Sequence, residues 1–442
     1  MMKKKISLLL LTALVVSIIA GCTPKTPEQP TEIQMPTQAP SQVPTQPVEE
    51  VELVLPGDNR PYVGVRLEFM TLLGEDDPRA NVVRQAAVFF EGMTGAKVSI
   101  TWFHGDESLL AANLTSGVKV DIFAASVDVL QTLYLPYALD LSGMAAAVNY
   151  DAQSHPVLRQ QILQRCGFLA GIAQEPRVYG MYYNRDAFSD AGITEYPESW
   201  ENFLKLSDSL VRSGYMPLAI DAERANLILE LHLERHLGAE QFDLMMEQSL
   251  WTSKTEYIEL FRLPIDYAAA GYLAKGDPAV FPDGQDKIAL SNVAMVAGSN
   301  ELCAQVEQST MMDVNWGVFA YPGDGPGKGF AVESQVLAVH KDCANAQAAF
   351  DFIMLLTTGD FDQLYADVSE GIPADPGNVS SIEGAMALLE KGDIRGMGVL
   401  GSGDNELFSR LWNGWYKTPS YFAAAMNGVS SAYIPAVTEG VG

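Results

Sequence analysis

Between residues 65 and 123 the chain alternates short apolar runs with stretches of helical spacing, and this alternation constrains the fold more than any other feature. Residues 65–72 form an apolar run suited to a strand. Asp77-Pro78 then reads as a helix N-cap followed by its first-turn proline. Val82, Ala86, Phe89 and Met93 recur at helical spacing, and Gly95 provides a stop. Residues 98–103 predict a second strand, 109–114 a second helix broken by Gly117, and 120–123 a third strand. The order β-α-β-α-β is that of an α/β protein with parallel strands. In such sheets ligands bind beyond the carboxyl ends of the strands, which directs attention to residues 74–77, 102–106 and 126–128.

The N-terminus has a different character. Lys3, Lys4 and Lys5 precede an apolar run over residues 6–20, too short for a comfortable membrane span and closed by Gly21-Cys22. Ile19-Ala20-Gly21-Cys22 resembles a bacterial lipobox, which implies a signal peptide over 1–22 and a lipid on Cys22. Residues 23–50 hold seven prolines and no aromatic residue, so 23–58 reads as an extended linker without a core. No later run reaches 18 apolar residues. The rest of the chain, 48% apolar residues overall, can bury a large core. With 55 acids against 28 Lys and Arg, the formal charge of −27 repels phosphate backbones, so no nucleic-acid partner is expected. Four cysteines exclude a disulfide scaffold, and the spacings of Cys166, Cys303 and Cys343 suit no metal motif, leaving them unpaired or with one pair among them. Residues 323–329 are glycine-rich but lack the order of a phosphate-binding loop.

Six passages, in order, carry a resemblance. They are Phe89-Phe90-Glu91 with Thr94-Gly95-Ala96-Lys97-Val98; Ser116-Gly117 with Asp121-Ile122; Tyr179-Gly180-Met181-Tyr182-Tyr183-Asn184 with Ala191-Gly192-Ile193; Pro197-Glu198-Ser199-Trp200; Ala294-Met295 with Gly298-Ser299; and Gly371-Ile372-Pro373. Together they resemble the bacterial extracellular solute-binding proteins, family 1, which deliver sugars to ABC importers. The resemblance implies an α/β, two-lobed, periplasmic-binding-protein-like fold of type II, with a ligand cleft between lobes joined by hinge crossovers. It places one lobe at 59–175 plus 330–372 and the other at 178–328 plus 374–442, with crossovers near 176, 330 and 373. It further implies a monomer at the extracytoplasmic face of the membrane that binds a small solute, most simply a sugar. The partner is an ABC permease, and neither cofactor nor catalytic residue is needed. The competing reading is a surface-tethered enzyme acting on polysaccharide, which would need two carboxylates about 5–9 Å apart across one bond.

A sugar ligand calls for flat aromatic faces and planar polar groups. The resemblance makes Asp77 a ligand contact as an alternative to a plain helix cap, and Asp128 a hydroxyl partner as an alternative to a solvated loop acid. Trp102 and His104 stand at the second strand end, where Trp102 could equally be core. Arg177 lies near the first crossover and could pair with an anion, donate to hydroxyls or bridge the lobes. Asn300 stands where sugar-binding relatives carry a tryptophan, which argues against a long oligosaccharide, and Glu333 follows a late crossover. Trp412, Trp415 and Tyr416 share a helix face or turn, either as a cleft platform or as a core stripe. Tyr182 and Tyr183 are assigned to the framework, Trp251 and Trp316 to core or platform, and the His232/His236 pair to a solvent face.

Overall fold

The structure, a computed structural model, describes residues 60–220, 225–247, 260, 262–275, 285–290 and 292–392, all within the compact unit Leu55–Gly442. The opening alternation is present. Strand β1 is Arg66–Thr71, β2 is Lys97–Trp102 and β3 is Ile122–Ser126, separated by the helices Pro78–Thr94 and Glu107–Ser116. Then come β4 (Ile172–Asn184), β5 (Met216–Ile220), β6 (Leu273–Lys275), β7 (Val293–Gly298), β8 (Trp316–Phe319) and β9 (Ala331–Val339). They form one mixed sheet in the order β2-β1-β3-β9-β4-β7-β5-β6, with β8 also on β4.

Two strands join the halves of this sheet. β1 pairs in parallel with β2 and β3, and β5 in parallel with β6 and β7, as helical crossovers require. β9 lies antiparallel between β3 and the first part of β4, up to Tyr179 opposite Ala331. From Gly180 onward β4 changes partners and runs antiparallel to β7, and from Met181 also to β8. Gly180 is required there: a Cβ would sit 2.9 Å from the Phe319 carbonyl oxygen.

Local chemistry explains the first helix. Its N-cap is Asp77, whose carboxylate accepts the Arg79 backbone N–H at 2.9 Å, and Pro78 opens the first turn. Gly95 ends it in the left-handed region at φ 81°, its N–H bonding to the Glu91 carbonyl. The buried stripe is Val82, Val83, Ala86, Ala87 and Phe90, whereas Phe89 and Met93 are exposed. The helical spacing was right, but the buried face is rotated, because Phe90 must meet Phe352 of the helix Ala346–Thr357 at a ring separation of 5.3 Å.

Alternate residues of β4 serve opposite faces. Tyr182 belongs to a core that runs from β1 to the helix Ala346–Thr357, while Met181 and Tyr183 belong to a second core with Trp200, Phe203, Leu229 and Phe319. Trp316 is buried edge-on to Tyr182, so it is core. The His232/His236 pair is not on a solvent face. His232 is 0% exposed, its Nε2 lies 2.8 Å from the Leu260 carbonyl, and both rings pack against Trp200. Burial, reinforced by His236, pushes the His232 imidazole down to about 3, so it stays neutral. Among the described residues, Cys166, Cys303 and Cys343 form no disulfide. Among the described residues no helix is long and apolar enough to cross a membrane.

Candidate ligand-binding cleft

Loops at the strand ends of both halves converge on a cleft of about 820 Å³. The first half supplies Gly74, Asp76 and Asp77 after β1, and His104 after β2. The second half supplies Asn300 after β7 and the helix Glu301–Thr310. Glu175 of β4 lies between them, and residues 368–371 close the far rim. Strand ends are where an α/β sheet leaves room for a ligand, and here the ends of both halves face one space.

One charged network organises the floor. Arg79 donates to Asp77 through Nε at 2.9 Å and Nη2 at 2.7 Å, and its Nη1 pairs with Glu175. The other Glu175 oxygen accepts the Tyr365 hydroxyl at 3.2 Å. Burial alone would raise the Asp77 carboxyl, but the Arg79 hydrogen bonds and charge bring it below its ordinary value. Burial likewise works against the Arg79 cation and is outweighed by Asp77 and Glu175, so its pKa rises further. Asp77 is therefore a carboxylate at neutral pH which, having accepted three hydrogen bonds from Arg79, has one lone pair left to accept a hydrogen bond from a hydroxyl.

The other predicted residues are placed as follows. His104 lines the cleft in the left-handed region at φ 50°, with Nδ1 3.8 Å from Asp76. Asn300 also lines it but is 2% exposed. Its Oδ1 accepts the Val178 N–H at 3.0 Å and its Nδ2 donates to the Pro176 carbonyl at 3.2 Å, so its amide is largely committed to holding β4. Trp102 is half-buried beneath the Arg84 guanidinium, 5.3 Å from its ring centroid, and packs on the core. Asp128 is ion-paired with Arg165. Arg177 pairs with Glu301 at 2.6 Å, and Glu333 accepts the Tyr179 hydroxyl at 2.8 Å. None of these last four residues, Trp102 included, belongs to the cleft lining. Trp412, Trp415 and Tyr416, like Trp251 and Cys22, lie outside the described residues.

Several lining residues were not singled out in the sequence. Glu175 was legible only as the neighbour of Arg177. Arg79 reads as an ordinary first-turn arginine, and its reach to a strand nearly a hundred positions away is tertiary. Glu301, Ala304, Gln305 and Gln308 stand at i, i+3, i+4 and i+7 and present one face of their helix to the cleft, a pattern that was readable. Glu370 also lines the cleft, its carboxyl hydrogen-bonded to that of Glu307. Among the described residues no group of three or more His, Cys, Asp or Glu side chains is arranged to hold a metal ion.

Comparison with known proteins agrees with this architecture. The sequence model of the bacterial extracellular solute-binding protein family matches residues 76–359. No curated protein matches the chain. Among solved structures, the apo-form of RafE from Streptococcus pneumoniae superposes with a TM-score of 0.64 at 16% identity, covering 85% of this chain and 98% of that one. The solute receptor AcbH gives 0.63 at 15% identity, covering 84% and 99%. The binding protein MsmE from Bacillus subtilis, in an open conformation, gives 0.62 at 15% identity, covering 83% and 96%. At such identities the likeness is one of fold, the two-lobed α/β fold with a cleft between its lobes. The family model spans more than half of the sequence, and the chain belongs to the bacterial extracellular solute-binding proteins.

Proposed function

We propose that the protein captures a carbohydrate in the cleft between its lobes and delivers it to the permease of an ABC importer. The observation that carries this reading is the convergence of strand-end polar groups from both halves of the sheet on one cleft, in a chain of this family. Relatives of the same fold include RafE in complex with raffinose, a chitin oligosaccharide binding protein, and GacH in complex with acarbose. The Asp77 carboxylate, the Arg79 guanidinium and the amides of Gln305 and Gln308 are the planar groups a sugar's hydroxyls need. Asp77, His104 and Asn300 are proposed as contacts from the described lining. Trp412 and Trp415 are proposed as stacking surfaces. Trp102, Asp128, Arg177 and Glu333 would have to reach the solute on closure. The lobes are taken as 59–175 plus 330–372 and 178–328 plus 374–442. Cys22 is taken as the lipid-bearing residue that keeps the protein, as a monomer, at the extracytoplasmic face of the membrane. The reading assigns no covalent step.

The test is a thermal-stability screen of the purified protein with mono- and oligosaccharides, sugar acids, amino acids, peptides and polyamines. A ligand present at about 100 times its Kd adds about 2.7 kcal/mol to the folded state. A rise in Tm with a saccharide is the expected outcome. A rise only with a non-carbohydrate class overturns the assignment of solute. Turnover of polysaccharide by the protein would favour the enzyme instead.

A further inference from the structure

The bridging strand β4 is irregular at one point. Its register against β9 shifts between Gln174 and Pro176, and the residue between them, Glu175, has φ 53°. The left-handed region is unfavourable for a side chain other than Gly, Asn or Asp, and a residue followed by proline is normally extended. Such a conformation persists only where surrounding contacts over-determine it. Here those contacts are visible. Glu175 is 8% exposed, and its two carboxylate oxygens are taken by Arg79 and by the Tyr365 hydroxyl. Arg79 is itself anchored to Asp77 by two side-chain hydrogen bonds. One and three residues further on, the same strand is gripped from the other half of the sheet, where the Asn300 amide bonds the Pro176 carbonyl and the Val178 N–H.

The resemblance already implies a crossover near residue 176; we propose that the Arg79–Glu175 ion pair is the restraint on that crossover, residues 175–178. The pair holds the left-handed bend on the first-half side and Asn300 holds the strand on the second-half side, so at this crossover rotation falls on the few backbone bonds between the two grips. Arg79 is then a positioning residue whose fork spans a cleft carboxylate and the hinge carboxylate. A lysine, with one ammonium, cannot hold both in this geometry. The inference rests on the reading that the protein works by closure of its lobes, not on which solute it binds.

Hydrogen exchange read by mass spectrometry on the full, ligand-free chain tests it. In Glu175→Gln, amides of residues 173–179 and 332–337 should exchange about tenfold faster, as expected when a local opening loses its restraint, while β5 amides keep their wild-type rates. Arg79→Lys should give an intermediate acceleration in the same segments, since it retains a charge without the fork. Glu175→Gly separates restraint from strain. Glycine adopts the left-handed region freely, so if relief of strain governs the segment this variant will exchange more slowly than wild type. If the ion pair governs it, the variant will exchange faster. Unchanged local rates in Glu175→Gln and Arg79→Lys overturn the proposal, as does acceleration of the β5 amides by the same factor. Should Glu175→Gln fail to fold, Arg79→Lys and Tyr365→Phe carry the comparison by the same criterion. Accelerated hinge exchange in a protein that no saccharide stabilises would leave this proposal standing and remove only the carbohydrate assignment.

Discussion

Glu370 stands in the left-handed region at φ 47°, on the rim formed by residues 368–371, with its carboxyl hydrogen-bonded to that of Glu307. Two carboxyls at hydrogen-bonding distance cannot both be ionised without repulsion, so the pair holds a proton. Burial, then the hydrogen bond and charge of Glu307, then the charge of Asp313, push the Glu370 carboxyl up from 4.5 to about 8. The native state therefore binds more protons than the unfolded chain between these values, and stability falls as pH rises across them. The contribution is complete below about 4.5 and gone above about 8. Glu370→Gln replaces the protonated acid by a neutral amide. Its Tm should depend less on pH than that of the wild type between pH 4.5 and 8, and should exceed it at the upper end. Parallel Tm profiles for the two proteins would show that the carboxyl pair does not share a proton.

The elements that the sequence made legible are those governed by neighbours in the chain. Asp77-Pro78, Gly95 and Gly117 mark helix ends because capping is local, and each stands at the cap it suggested. The face a helix buries is not local. Phe89 and Phe90 are chemically the same, and tertiary partners, Phe352 and Tyr62 against Phe90, decide which of them is core. The same distinction separates the site residues. Strand-end position pointed to Asp77 and His104, which line the cleft, and equally to Trp102 and Asp128, which pack on the core and on Arg165 instead. It did not point to Arg79, Glu175 or Glu370, whose roles depend on partners from distant segments. The charges of Asp128 and Arg177 were legible, but not that Arg165 and Glu301 engage them. Within β4 the critical small residue is Gly180, where the strand changes partners and the Phe319 carbonyl leaves no space for a methyl group. Gly180→Ala should lower the unfolding free energy by about 1–3 kcal/mol, as overpacking does, measurable as a lower urea midpoint at unchanged m-value. A midpoint equal to wild type would mean that β8 can yield at this contact.

At the scale of the whole molecule, the unit Leu55–Gly442 is proposed to be tethered through the proline-rich segment and Cys22. Cys22→Ser should move the protein from the membrane fraction to the medium, or leave it as unprocessed precursor, because one lipid-bearing site is removed. Mass spectrometry of mature wild-type protein with an unmodified Cys22 would refute the tether. A further consequence concerns the order in which the body can assemble. β3 pairs with β1 early in the chain, but its other edge is completed only by β9, with Ile122 opposite Val339. Until β9 has been synthesised, β3 presents a row of unpaired N–H and C=O groups, the kind of edge on which chains pair with one another. Contacts between residues so far apart also make folding slow. The sheet that links the lobes thus cannot be completed before β9 is made, and a chain truncated before Ala331 should aggregate where the full chain folds.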